Sequence, residues 1–221
     1  MEKQEVKVMQ KILRANERVA EELRDEFAAR GIFFLNLMSS PGSGKTTLLQ
    51  ATGLESDMQL AVIEGDVETA LDAERLAEAG IRVLQINTGP FGGDCHLEAS
   101  WVRDAARQLD LDGIDVLCVE NIGNLICPAC FDLGTHINAV MLSVTEGEDK
   151  PLKYPLAFRT SQFCIISKTD LLPHVDVTIE RLRANVHSVN PDMHIIEISA
   201  RTGEGVDTWL DWLRSQVAAH R

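Results

Sequence analysis

The stretch SSPGSGKTT, Ser39 to Thr47, constrains the fold more than any other part of the chain. It follows a short apolar run, Ile32-Phe33-Phe34-Leu35-Asn36-Leu37-Met38, and leads into a helical pattern. That strand, turn and helix setting is what a phosphate-binding loop requires. Gly42 and Gly44 let the backbone curl until its N–H groups, including that of Ser43, converge on phosphate oxygens, and the helix start at Thr46 and Thr47 adds positive potential. Lys45 is placed to reach the β- and γ-phosphates, and the Thr46 hydroxyl to hold Mg²⁺. The strict pattern has Gly at position 39, where this chain has Ser39. An ordinary strand-to-helix turn would leave Lys45 and Thr46 unexplained.

Around this loop strands alternate with helices. Leu60–Glu64, Arg82–Ile86, Val116–Val119, Ile137–Val144, Phe163–Ser167 and Ile195–Ile198 read as further strands. Helical patterns run from Val67 to Ala79, Leu97 to Leu109 and Val206 to Ala218. This order predicts an α/β P-loop NTPase fold, a three-layer sandwich with a mostly parallel sheet. Residues 3 to about 30 predict one long helix, with Val6, Met9, Ile12, Leu13, Val19, Ala20, Leu23 and Phe27 near helical spacing and Gly31 as its stop. We expect 1–30 to pack as a helix on the edge of a 31–221 GTPase domain, a partner-binding arm being the other reading of that helix. The 221 residues suit one large domain.

Ligands of such sheets sit at the carboxyl ends of the strands. Glu120 ends one strand and is the expected acidic partner of Mg²⁺. Asp66, after Glu64-Gly65, is expected to touch the metal or orient the attacking water, which makes Lys45, Asp66 and Glu120 the catalytic set. Asp72 is an outside candidate that a solvated helix face explains as well. Ser167-Lys168-Thr169-Asp170 resembles the NKxD element of GTPases: Asp170 would accept from guanine N1 and N2, and Lys168 would lie along the base. Ser199-Ala200 ends the next strand, where the Ala200 N–H would donate to guanine O6. Together they favour GTP over ATP.

A second chemistry follows Glu120 at once. VENIGNLICPACFDLG presents Cys127 and Cys130, and GGDCHLEAS presents Cys95 and His96. Thiolate and imidazole suit Zn²⁺ or Ni²⁺, although a loop with a reactive thiol pair would look similar. Cys118 and Cys164 lie in apolar strands and read as core. His136, His174, His187, His194 and His220 form no cluster. Because Glu120 and Cys127 share one short segment, its rearrangement with the γ-phosphate would move a sulfur donor, and metal and nucleotide affinities would be linked. Adjacent Cys95 and His96 make a tetrahedral shell awkward for one chain, so a homodimer interface is the expected place for it.

A formal net charge of −13 argues against a nucleic-acid partner. The absence of an apolar run of the length a bilayer demands argues against a membrane one. The charged first thirty residues and an odd cysteine count predict a cytoplasmic protein without structural disulfides.

With SPGSGKTTLL, GDVETALDAERL, GGDCHLEA, ENIGNLICPACFDLG, TEGEDKPLKYP and SARTGEG, the chain after its first helix resembles the hydrogenase nickel-incorporation GTPases of HypB type. The resemblance implies a GTPase that delivers Ni²⁺ to the large subunit of [NiFe]-hydrogenase and dimerises when GTP is bound. It implies a Zn²⁺ or Ni²⁺ site from Cys95, His96 and Cys127 of two subunits, and a zinc-and-nickel-binding maturation chaperone as partner. The N-terminal Cys-rich motif or His-rich tract of some members is not in this sequence, which speaks against nickel storage. Ser100 stands where many members have a further His, which removes one candidate ligand. Ser167 replaces the usual Asn, and Cys130 is expected to support the site rather than bind the ion. With no arginine finger in evidence, turnover by the isolated protein is expected at about 10⁻⁴ to 10⁻² s⁻¹. Three rivals remain: an ATP-dependent small-molecule kinase with structural zinc, a redox- or zinc-responsive nucleotide-binding module, and a sister GTPase serving urease, whose Cys-Pro-His signature ICPAC lacks.

Overall fold

The computed structural model describes residues 2–66, 71–89 and 95–221, with residues 2–10 and 12 described in backbone only. Seven parallel strands form one sheet in the order β3-β2-β4-β1-β5-β6-β7. They are β1 (Phe33–Ser39), β2 (Leu60–Asp66), β3 (Arg82–Asn87), β4 (Val116–Glu120), β5 (Ile137–Ser143), β6 (Phe163–Ser167) and β7 (His194–Glu197). Every residue of β1, β4 and β6 is buried. This explains their unbroken apolar runs, because a parallel sheet is covered on both faces.

Alternate residues feed opposite layers. Phe33, Leu35 and Leu37 of β1 pack with Leu48 and Leu49 of α2 (Lys45–Glu55), Leu76 of α3 (Leu71–Glu78), and Trp209, Leu210 and Leu213 of α8 (Val206–His220). Phe34 faces the other way, onto Leu23 and Phe27 of α1 (Glu2–Ala29) and Val102 of α4 (Ala99–Ala106). On that same side, Val140 and Leu142 of β5 and Cys164 and Ile166 of β6 meet Phe158 and, from α7 (Ile179–Val189), Leu182 and Val186. Phe158 belongs to α6 (Pro155–Arg159), which directly follows α5 (Lys150–Lys153).

The expected strands all form. Val67, where a helix was expected to begin, lies with 68–70 outside the described residues, and so do the Gly-Gly-Asp before Cys95 and the side chains of Val6, Met9 and Ile12. Helix α7 was not anticipated, although Thr178 caps it by accepting from the Arg181 N–H and Leu182 and Val186 have helical spacing. Among the described residues, no helix is long and apolar enough to cross a membrane.

His136 ties β5 to both neighbouring layers. Its Nδ1 accepts the Phe34 N–H at 2.9 Å, its Nε2 faces the Arg24 carbonyl at 3.4 Å, and its ring lies 4.3 Å from that of His220. Burial first, and then the neighbouring His220, lower its pKa to about 4. The folded value lies below the unfolded one, so this stability is complete above about pH 6.5 and is lost as pH falls towards 4. Allowing for partial exposure, the loss is on the order of 2 kcal/mol, or about 5 °C in Tm. His136→Asn keeps an acceptor where Nδ1 sits and cannot titrate. The difference between the Tm profiles of the two proteins from pH 7 to pH 4 should show the wild type falling more steeply.

Candidate functional site

The carboxyl ends of β1, β2 and β4 converge on the loop between β1 and α2. The register sets Glu64 opposite Glu120 across β2 and β4, and Leu37 opposite Glu120 across β1 and β4. Gly42 and Gly44 have φ of 73° and 102°, the left-handed region that only glycine enters freely. Lys45 is buried, and its Nζ donates to Ser39 Oγ at 3.0 Å. Serine at position 39 is therefore a hydroxyl rest for the lysine. Burial lowers the Lys45 pKa, while Glu120, Asp72, Glu64 and Glu146 pull the other way.

Thr46 Oγ1 donates to Glu120 Oε1 at 2.7 Å. The second oxygens of both Glu120 and Glu64 are buried without a hydrogen-bond partner. Burial pushes both carboxyls up, Glu64 to about 8 with Glu120 and Asp66 adding to the effect. Two crowded carboxylates with unused oxygens beside a threonine hydroxyl fit a divalent cation, whose charge would favour their ionised forms. Mg²⁺ needs only one or two protein ligands beside phosphate and water. Asp66 and Asp72 line the adjoining cavity of about 250 Å³ with Lys45, Glu64 and Glu120. Asp72 is also paired with Arg75 at 3.0 Å, and Arg75 donates to Thr47 Oγ1 at 3.3 Å.

A second cavity of about 390 Å³ opens on the other side of the loop. It is lined by Ser43, Gly44, Thr47, Lys168, Asp170 and Ala200, among others. Lys168 has φ of 60°, the only positive value at a non-glycine residue among those described. Its Nζ donates to the Gly42 carbonyl at 2.6 Å. The Ser167 hydroxyl donates to the Ser43 carbonyl at 2.8 Å, so this position ties β6 to the loop. Ser199 is fully buried, and its hydroxyl donates to Asp170 Oδ1 at 2.7 Å. One carboxylate oxygen of Asp170 is thus fixed at the rim of this cavity. Arg201 also lines the cavity.

The two soft-ligand loops meet beside the end of β2. The His96 ring stacks on Phe131 at 3.8 Å, and Asn124 Nδ2 donates to the Cys95 carbonyl at 3.3 Å. Asn16 of α1 joins both loops from beneath: its Nδ2 donates to the Asp132 carbonyl at 2.7 Å and its Oδ1 accepts the Ala99 N–H at 2.8 Å. Cys127 and Cys130 are thiols, and Cys130 Sγ donates to the Ile126 carbonyl at 3.5 Å. Among the described residues, no group of three or more His, Cys, Asp or Glu lies close enough to share a metal ion. Cys118 and Cys164 are wholly buried, and burial pushes the Cys164 thiol to about 12.

The segment after Glu120 also touches the phosphate loop. A Cβ on Gly123 would stand 3.0 Å from Pro41, and a Cβ on Gly65 would stand 2.8 Å from Leu97 and 3.2 Å from Ile122. Asn121 donates to Asn36 Oδ1, and Asn36 to Asn138 Oδ1, each at 3.0 Å, an amide ladder from the end of β4 across β1 to β5, buried at Asn121 and Asn36. Sequence reasoning named Glu64 only as part of the strand end that carries Asp66, and gave no sign of its register with Glu120, of this ladder, or of Asn16.

Comparison with known proteins gives consistent matches. The family described as "CobW/HypB/UreG, nucleotide-binding domain" matches residues 33–197. The hydrogenase maturation factor HypB of Escherichia coli (strain K12) is 50% identical over 210 residues, which cover 94% of this chain and 71% of that protein. A crystal structure of HypB from Helicobacter pylori in complex with nickel superposes with a TM-score of 0.87 at 35% identity, covering 93% of this chain and 96% of that one. HypB from Archaeoglobus fulgidus gives a TM-score of 0.84 at 36% identity, covering 93% of this chain and all of that one, 100%.

Proposed function

The chain belongs to the CobW/HypB/UreG nucleotide-binding family as a HypB-type GTPase, and we propose that it delivers nickel during [NiFe]-hydrogenase maturation through a nucleotide-gated homodimer. In this proposal 31–221 act as the GTPase domain, the N-terminal helix packs on it through Ala20, Leu23 and Phe27, and the protein works in the cytoplasm.

In this reading Asp170, steadied by Ser199, accepts from guanine N1 and N2, Lys168 lies along the base, and the Ala200 N–H meets O6. The turns at Gly42, Ser43 and Gly44 and the α2 start at Thr46 and Thr47 cradle the phosphates. Lys45 leaves Ser39 Oγ for a terminal phosphate oxygen. Thr46, with Glu120 and Asp66, would hold Mg²⁺, which supplies charge neutralisation on the β- and γ-phosphates when bound. Asp66 or Glu64 orients the attacking water. Slow turnover is expected of the isolated protein, because Arg75, the arginine beside the Mg²⁺-side carboxylates, is paired with Asp72, and Arg201 lines the base-side cavity.

Nickel is the cargo, with zinc as its competitor. Cys95, His96 and Cys127 offer the thiolate and imidazole donors, and two protomers together complete the shell. The observation that carries the reading is the run from Glu120 to Phe131. At one end Glu120 accepts from Thr46; at the other, Asn124 and Phe131 hold Cys95 and His96. A displacement of this run by the γ-phosphate moves the metal donors, and by linkage metal biases nucleotide binding. The partner nickel/zinc maturation chaperone and the hydrogenase large subunit are the expected donor and recipient.

The test is a Ni²⁺ and Zn²⁺ titration with GDP and with a non-hydrolysable GTP analogue. Wild type should differ between the two nucleotides by about 10-fold in affinity, and Cys127→Ala should lose the difference. Sedimentation should find the dimer in the analogue-bound state. Equal affinities in both states would end the coupling. Phosphoryl transfer from ATP to an added acceptor would favour a kinase instead.

A further inference from the structure

Residues 145–155, TEGEDKPLKYP, have no role in the reading above, yet two of their side chains reach the phosphate loop. Glu146 closes a 3₁₀ turn, Val144–Glu146, at the end of β5. Its Oε1 accepts the Ser143 N–H at 3.0 Å and lies 2.7 Å from Ser43 Oγ, whose single proton is shared between it and the Ser40 carbonyl at 2.8 Å. Four residues later, across a non-helical turn, Lys150 pairs with Glu146 Oε2 at 3.5 Å and donates to Ser40 Oγ at 3.1 Å. The Tyr154 ring lies 5.0 Å from the same ammonium. The two side chains are only 12% and 23% exposed, so solvent competes weakly for these bonds.

Ser40 and Ser43 flank Pro41 and Gly42. Both hydroxyls are therefore gripped from outside the loop by one ion pair. A loop with two glycines at positive φ samples many shapes when unrestrained, and ordering it on binding weakens affinity. We infer that Glu146, acting with Lys150, is a positioning residue that holds the phosphate loop in its nucleotide-binding shape before the nucleotide arrives. The inference rests on Ser39–Thr47 being the phosphate cradle.

The contacts it prepares are common to GDP and GTP. Its removal is a loss of uniform binding: KM rises and kcat stays. A group acting on the transferring phosphoryl would lower kcat instead.

Fluorescent GDP and GTP analogues, with steady-state hydrolysis, separate these cases. Glu146→Ala should weaken both nucleotides by the same factor, about 10-fold or more, with kcat within about twofold. Glu146→Gln, which keeps both accepted hydrogen bonds, should recover most of the affinity. Adding Lys150→Met to Glu146→Ala should cost little more, because the two act as one unit. If Glu146→Ala fails to fold, Lys150→Met alone, which releases Ser40 and unpairs Glu146, should weaken GDP and GTP by one common factor with kcat within about twofold. Unchanged affinity, or a fall in kcat at constant KM, overturns the inference. Lys45→Ala is the control: wild-type nucleotide affinity in that variant would overturn the reading of the loop itself.

Discussion

Replacing Lys45 by Ala should reduce kcat/KM for GTP by about 10³-fold or more, equivalent to roughly 4 kcal/mol. Lys45 is the buried ammonium of the phosphate loop, and in this structure it has a neutral hydroxyl, Ser39, for its hydrogen bond. Nothing strong has to be broken when it turns to a phosphate. Its charge is balanced only at longer range by Glu120, Asp72, Glu64 and Glu146. Removing it takes from the Glu64 and Glu120 pair the cation that most opposes their mutual repulsion, since Arg75 acts on Glu120 more weakly. Nucleotide affinity should fall with turnover. Steady-state hydrolysis and direct GDP binding check both, with circular dichroism as the control for folding. Turnover within tenfold of wild type would remove Lys45 from the catalytic set.

Gly134→Ala should lower stability by about 4 kcal/mol and Tm by about 10 °C. Gly134 has φ of 80°, where an L side chain is strained. A Cβ there would lie 2.2 Å from the Ala20 carbonyl oxygen and 2.9 Å from Leu23 Cβ. Both belong to α1, whose Ala20, Leu23 and Phe27 are essentially unexposed. Backbone cannot yield as a flexible side-chain tip would, so the helix has to lift. The same displacement pulls Asn16 away from Asp132 and Ala99, and Arg24 away from Asp132, with which it pairs at 2.7 Å. Hydrogen exchange should report early opening of 16–29 while the central strands stay protected. Thermal melts read the global change, and a Tm within about 2 °C of wild type would show that α1 is not seated as the structure has it.

Both expectations start from glycines and lysines that the sequence displays, but only one of them was legible there. Lys45 sits in a pattern whose neighbours explain it. Gly134, in FDLG, carries no such pattern, since its need for a bare Cα comes from a helix turn more than a hundred residues earlier in the chain. Helix α7 was readable in principle, through Thr178 and the Leu182 to Val186 spacing. Helices α5 and α6 were not, because Lys150–Lys153 and Pro155–Arg159 are too short for a period to show.

What the sequence alone determined is local. Unbroken apolar runs meant buried parallel strands, and glycines before Lys45 meant a phosphate loop. Each signal is a constraint between residues a few positions apart, and backbone geometry enforces it wherever the segment lies. What the tertiary structure alone decided is adjacency across the chain. Strand order brought Glu64 opposite Glu120, the β5 end brought Glu146 and Lys150 onto Ser43 and Ser40, and α1 laid Asn16 between the loops of His96 and Phe131. Such contacts leave no period or spacing in the chain, because burial and hydrogen bonding select the partner by position in space.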